Sequence, residues 1–234
     1  IYWVVHKYAD FIFLTSASDV NKFVKKHGDE ERIVVVRGGV DINPSETYLT
    51  SENFIPVDKR KYDACFLGRL HYQKGVLELI DIWRLVCDIK PKMMLVIIGD
   101  GPLEEEAKKK IKKLGLSQNI ELLGFKNGEE KYSIFKQSKI IIHPATFDSG
   151  GMAAAEAMAW GLPGVSFDLE ALKTYYPKGM LKTKCFDLRE FSDNILDLLF
   201  DKELYNKTSE EAKELIRKEW DWNKRAQIIY NRLF

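Results

Sequence analysis

Two carboxylates, Asp148 and Glu156, stand eight positions apart in the stretch FDSGGMAAAEAMAWGLPG, and the backbone between them is thinned to Ser149, Gly150 and Gly151 before small residues take over. The run from Met152 to Trp160 reads as a helix, so Ser149-Gly150-Gly151 would present free amide N–H groups and the positive end of a helix dipole. Such an end takes an anion, and the missing side chains let it come close. Two cations, Arg69 and Lys74, occur in GRLHYQKG, which also leads from an apolar run into a helical one. A guanidinium offers phosphate a planar fork and an ammonium adds a point charge, so the pair suits a diphosphate. A carboxylate beside phosphate would repel it, so the two acids are aimed at hydroxyl groups, which donate to an acceptor-only carboxylate. Asp148 precedes the helix and Glu156 lies about 6 Å along its axis. That layout fits a ligand with phosphates in the middle and a hydroxylated ring at each end, a nucleotide sugar.

These residues need a scaffold that gathers loops at one edge. Strand-length apolar runs alternate with helical periods: YDACFLG, a helix from Gly75 to Ile89, MMLVIIG, a helix from Leu103 to Leu114, IELLG, a helix from Glu129 to Gln137, KIIIHPA, the helix from Met152 to Trp160, then PGVSF. The alternation predicts an α/β fold, a Rossmann-like parallel sheet with helices on both faces, because parallel strands need crossovers and become buried on both sides. Ligands of such sheets collect at the carboxyl ends of strands. Gly68, Arg69, Lys74, the Asp100-Gly101 turn, the Phe125-Lys126 loop and Asp148 all follow strands.

Upstream, DFIFLTS and RIVVV read as strands enclosing a helix around Ser18 to Lys26, and residues 42 to 60 show no clear period and read as a linker. From Asp187 onward the chain reads as helical, with Phe191, Ile195, Leu198 and Leu199 at helix spacing. Trp220, Trp222, Ile229, Tyr230 and Phe234 give its end an aromatic surface that needs something to dock on. The expected organisation is therefore the end of an N-terminal domain over 1–42, a linker over 43–60, a nucleotide-sugar-binding domain over 61–219, and a terminal helix over 220–234 crossing back towards the first domain. The chain opens on Ile1 inside what already reads as folded material, so a preceding portion is expected.

Composition narrows the classes. Lys and Arg number 36 against 35 Asp and Glu, a net charge of +1, which gives no long-range attraction for nucleic acid. No apolar run approaches the ~20 residues of a membrane helix. Cys65, Cys87 and Cys185 are too few and too scattered for a disulfide framework or a metal cluster, and a reducing compartment is the default. His143 has no second His or Cys at metal spacing and reads as a structural histidine. No G-x-G-x-x-G follows a strand, which counts against a dinucleotide-dependent oxidoreductase. Plainer readings stand beside the chemical ones: Asp148 or Ser149 as a cap on the following helix, and Met93, Met94 and Met152 as core.

The segments GRLHYQKG, IIGDGP, LLGF and DSGGMAAAEAMAWGLPG, in that order and spacing, resemble the donor-binding domain of family 4 glycosyltransferases, the glycogen-synthase-like retaining enzymes of GT-B architecture. The resemblance covers residues 60 to 168 and extends upstream, where ADFIFLTSASDV and RIVVVRGGVD are similar to the close of that family's acceptor domain. It implies retaining transfer of a sugar from a nucleotide diphosphate, UDP or GDP, to an acceptor sugar, lipid or polysaccharide, without a metal or other cofactor. It also implies a cytoplasmic setting, with any peripheral contact at the inner face of a membrane resting on the acceptor domain. Residue by residue, it implies Arg69 and Lys74 on the diphosphate, backbone N–H groups of Gly151 and Met152 on phosphate or sugar, Asp148 on sugar hydroxyls and Glu156 on the ribose. The base would lie between the Asp100-Gly101 turn and the Phe125-Lys126 loop, with Gly68, Ser149 and Gly150 completing the donor site. No protein nucleophile is required. Three positions depart from the family pattern: Asp148 stands where Glu is usual, Gly150 at a commonly aromatic position, and Gly38 where Asn is frequent. The departures leave room for a nucleotide-sugar-binding module without transfer, and fold alone leaves room for an epimerase or a phosphorylase.

Overall fold

The computed structural model describes residues 7–14, 32–36 and 38–234. The helix expected around Ser18 to Lys26 lies outside the described residues. Upstream, β1 (Ile12–Leu14) and β2 (Ile33–Val35) pair in parallel as a separate two-stranded sheet. The segment read as an aperiodic linker holds a helix, α1 (Asn43–Leu49), with Pro44 in its first turn. Proline there is pre-set for a helical start, and seven residues are too few for a period to show in the sequence. Tertiary contacts settle it: the Tyr48 ring packs 5.6 Å from that of Trp160, and its hydroxyl accepts the Ile55 N–H at 2.8 Å.

Six strands form the main sheet: β3 (Tyr62–Leu67), β4 (Leu95–Ile98), β5 (Ile120–Leu122), β6 (Ser138–His143), β7 (Gly164–Phe167) and β8 (Met180–Thr183). All pairs are parallel and the order is β5-β4-β3-β6-β7-β8. The crossovers are α2 (Val76–Ile89), α3 (Glu104–Lys113), α4 (Gly128–Lys136), α5 (Met152–Ala159) and α6 (Glu170–Tyr175). Side chains alternate across the sheet with the period of two that a strand imposes. Val96 and Ile98 belong to the core on one face, with Ala154, Met158 and Leu215, while Leu95 and Ile97 belong to the core on the other, with Ile80, Trp83 and Ile195. Each fully buried large side chain in these two cores contributes about 1.5–3 kcal/mol. The main sheet starts at β3, builds outwards to β5, then returns to the other side of β3 with β6. That reversal leaves a crevice between the carboxyl ends of β3 and β6.

The helical tail resolves into α7 (Leu188–Phe200), α8 (Lys202–Glu219) and α9 (Trp222–Leu233). The breaks coincide with Asp201 and Asp221, whose carboxylates accept N–H groups of the helices that follow, the usual work of an N-cap. Trp220 falls in the second break and is fully buried rather than part of the terminal helix; its ring stacks on that of Tyr176 at 5.3 Å. Backbone bonds Val40 N–H to Trp220 carbonyl (2.8 Å) and Trp222 N–H to Val40 carbonyl (3.0 Å) tie this break to the upstream segment. α9 itself buries no residue, and Trp222, Ile228, Tyr230 and Phe234 are exposed. Among the described residues no helix is long and apolar enough to cross a membrane.

At the β7–β8 edge, Ser166 and Lys182 pair in register, and Ser166 Oγ, Asp168 Oδ1 and Lys182 Nζ are buried without a hydrogen-bond partner among the described residues. Burial pushes the Lys182 amine down to about 8, against the pull of Asp168. Below that value the ammonium is charged in both folded and unfolded chains, so the full cost of burying it is present; the cost is relieved as pH rises from about 8 towards the ordinary 10.5. Replacing Lys182 with Met is therefore expected to raise Tm at neutral pH, by roughly 2–4 °C for each kcal/mol recovered. Asp168 keeps Lys173 at 3.0 Å. Thermal melts from pH 6 to 10 check this; a lower Tm in the variant, or a gain that persists unchanged at pH 10, contradicts it.

Candidate active site

The crevice is built by two strand-end loops pressed together. After β3 the chain passes Gly68 to His71 and makes a short 3-10 turn, Tyr72–Lys74, steadied by His71 Nδ1 accepting the Gln73 N–H at 3.3 Å. Gly75 closes the turn with φ +66°, and a Cβ there would lie 1.9 Å from the Pro144 carbonyl oxygen in the loop after β6. Only glycine permits that approach. The N–H groups of Thr146 and Phe147 both donate to the Gln73 carbonyl, at 3.0 and 3.2 Å. So joined, the loops deliver Lys74 Nζ to Asp148 Oδ2 at 2.7 Å.

Asp148 is the centre of the arrangement. Its Oδ2 also lies 3.0 Å from His143 Nε2, and its Oδ1 accepts the N–H groups of Gly150 at 3.0 Å and Gly151 at 2.7 Å. The side chain is 7% exposed. Burial alone would raise its pKa, but the bonds from His143, Lys74 and the Gly150 amide outweigh it and hold the carboxyl well below the usual range.

Two expectations change here. The amides of Gly150 and Gly151, expected to be free for an anion, are taken by Asp148. Asp148, expected to grip sugar hydroxyls, has its acceptor positions filled by a lysine, a histidine and two amides; it braces the turn before α5 rather than capping the helix, whose N-cap is Gly151 with no side-chain bond, so the cap reading of Asp148 or Ser149 does not hold. What remains open at the helix start is the first turn of α5. Ala154 and Ala155 N–H turn back to the Gly151 carbonyl, while Met152 and Ala153, whose amides lead the helix, line the cavity. Gly151 holds φ +63°, and Tyr176 fastens the turn by donating its hydroxyl to the carbonyls of Gly150 (3.0 Å) and Gly151 (2.7 Å).

The cavity above these groups measures about 560 Å³. Gly68, Lys74, Asp148, Ser149, Gly150, Gly151, Met152, Glu156, Phe125 and Lys126 line it together, as the strand-end argument predicts. Arg69, Asp100 and Gly101 do not. Arg69 is exposed, and the Asp100 carbonyl instead accepts the Leu70 N–H at 2.7 Å, bracing the β3 loop from outside. Met152, also readable as core, is 38% exposed. Glu156, on the second turn of α5, is ion-paired through Oε2 with Lys131 of α4. Lys126 pairs with Glu130 at 3.0 Å.

Sequence reasoning missed Lys131, Tyr175 and Trp220 as lining residues. Lys131 carries no local signal, since it is one lysine among many. Trp220 was visible only as aromatic mass in the tail. His143 is buried and satisfied as expected, but it also touches the central acid.

A family model described as Glycosyl transferases group 1 matches residues 50–215. An uncharacterised glycosyltransferase of Methanocaldococcus jannaschii is 26% identical over 239 residues, covering 99% of this chain and 59% of that protein. The poly(glycerol-phosphate) alpha-glucosyltransferase of Bacillus subtilis is 24% identical over 215 residues, 89% of this chain and 30% of that one. This chain thus spans less than two thirds of these relatives. Among solved structures, HepE of Anabaena with UDP and glucose superposes with a TM-score of 0.79 at 20% identity, covering 98% of this chain and 64% of the other. TarM of S. aureus, solved as a variant with UDP and other ligands, gives 0.81 at 17% identity, covering 97% and 44%. These neighbours share the fold.

Proposed function

The chain belongs to the group 1 glycosyl transferases, and on that premise we propose that it forms the donor-binding half of an enzyme that moves a sugar from a nucleotide diphosphate to an acceptor with retention of anomeric configuration. The observation that carries this reading is the cavity at the β3/β6 crevice, where Lys74 and the first turn of α5 meet at one end and Glu156 stands further along the same helix. In the proposed complex the diphosphate lies against Lys74 and the Met152 and Ala153 amides, where charge grows as the bond to the sugar breaks. Preorganised donors at that point are typically worth about 3 kcal/mol each. Asp148 orients Lys74 and the Gly150-Gly151 turn, and because its oxygens are occupied it is not offered as a nucleophile. Glu156 receives the ribose, and Phe125 and Lys126 border the base; UDP is the first candidate nucleotide because HepE and TarM were solved with it. Neither a metal nor another cofactor enters this scheme. The division at residues 42, 60 and 219 belongs to the same proposal, with the exposed apolar side chains of α9 packing on the acceptor half.

Calorimetry on the whole protein with UDP, GDP, ADP and their sugar conjugates tests the reading. At least one should bind and support transfer, and Glu156→Ala should weaken it. Binding of none, with no transfer, rejects it. Binding without transfer selects the second reading, a nucleotide-sugar-binding module, which the closed state of Asp148 favours. A version ending at Asp221 tests the role of α9; unchanged transfer and Tm refute it.

A further inference from the structure

Lys131 lies one turn into α4, and no acid stands three or four positions from it on that helix: positions 127, 128, 134 and 135 are Asn, Gly, Ile and Phe. The neighbouring cations behave differently. Lys126 takes Glu130 at 3.0 Å and Lys136 reaches Glu129 at 3.8 Å, both partners lying in α4. Lys131 instead crosses to α5 and pairs with Glu156 Oε2, and both residues line the cavity. Their side chains are only 18% and 28% exposed, so the interaction is less screened by water than a surface pair.

A lone carboxylate can only accept hydrogen bonds, whereas each hydroxyl of a vicinal diol both donates and accepts. Glu156 with one oxygen shared leaves Oε1 for one hydroxyl proton, while Lys131 Nζ, with three protons, can give one to the oxygen of the adjacent hydroxyl. The pair therefore presents an acceptor and a donor side by side, so a cis-diol can engage both groups at once, one hydroxyl on each, whereas a deoxy ring leaves one of the two charged groups without its partner.

We propose that Lys131 is a positioning and specificity residue for the ribose of the donor nucleotide, dividing the two ring hydroxyls with Glu156. This rests on the donor-site reading above. It predicts that the enzyme discriminates ribonucleotides from either deoxy analogue, and that Lys131 carries one half of that discrimination.

The test is calorimetric titration of the whole protein with UDP, 2′-deoxy-UDP and 3′-deoxy-UDP, with GDP in parallel, for wild type, Lys131→Met, Lys131→Arg and Glu156→Gln. Thermal melting checks that each variant is folded. In wild type each deoxy analogue should bind about tenfold more weakly than UDP, the loss of one good hydrogen bond to a charged group. Lys131→Met should weaken UDP by about tenfold and bring one of the two deoxy ratios close to unity, with Lys131→Arg restoring it. Because each ratio is taken within one variant, a purely structural tie between α4 and α5 would leave it unmoved. Unchanged UDP affinity and both ratios intact in Lys131→Met overturn the proposal while leaving the donor site standing. Equal binding of ribo and deoxy forms by wild type, or ratios unaffected by Glu156→Gln, would also overturn it by removing the ribose from this pair, whereas no binding of UDP, GDP or ADP would reject the donor-site reading itself.

Discussion

On the proposed function, exchange of Lys74 for methionine is expected to lower kcat for sugar transfer by about 10²–10³-fold while leaving the fold in place, the size of effect seen when one preorganised donor to a developing oxyanion is lost. The side chain is 30% exposed and its polar contact is Asp148, so methionine retains the stem and removes only the charge. The expectation rests on position. The 3-10 turn and the tight Gly75–Pro144 approach place the ammonium at the end of the cavity where α5 begins. Arg69 is the built-in control. It shares the same loop and the same charge, but it is exposed and outside the cavity lining, so Arg69→Met should change kcat by less than about fivefold, the scale of a screened surface charge. Steady-state kinetics of the whole enzyme decide; equal losses in both variants, or a loss in Arg69→Met alone, contradict this assignment.

Asp148→Asn should destabilise the protein by about 2 kcal/mol at neutral pH, the loss of charge-assisted bonds at a buried acceptor. For a chain of this length that is a fall in Tm of roughly 4–8 °C. An amide supplies one acceptor oxygen in place of two, and its NH₂ group would face either Lys74 or the Gly150 and Gly151 amides, donor against donor. The pH dependence follows from the depressed pKa of Asp148. Since the folded value lies below the ordinary 3.8, the carboxylate's contribution is complete above the unfolded pKa and is lost as pH falls through the window beneath it. The gap between wild type and variant should therefore be constant above about pH 5 and close progressively in acid. Denaturant melts across pH 3 to 8 measure it, and a gap that widens below pH 4 would show that Asp148 is not held ionised. Transfer should fall with stability, because the same carboxylate orients Lys74 and the Gly150-Gly151 turn.

The parallel sheet was legible in the residues because doubly covered strands have no polar face to interrupt them: LVII and KIIIH announce themselves. The loops that form the crevice were legible too, since glycines and charges directly after such runs have few other places to go. α1 was not, because a seven-residue helix is held by Tyr48 against Trp160 rather than by its own periodicity. Nor was Trp220, which reaches the cavity only because Val40 pairs its backbone with the α8–α9 break.

What the amino-acid order determined by itself is therefore local: which segments become strands, which start helices, and which titratable groups stand at strand ends. Which of those groups meet was decided by the tertiary structure. Lys74 and Asp148 are 74 positions apart and Lys131 and Glu156 are 25 apart, and nothing in the spacing selects these pairs over Arg69 or Lys126. The reason is physical. Periodicity reports which way a side chain leaves its own backbone, whereas the partner of a charge depends on how helices and loops remote in sequence pack over the sheet.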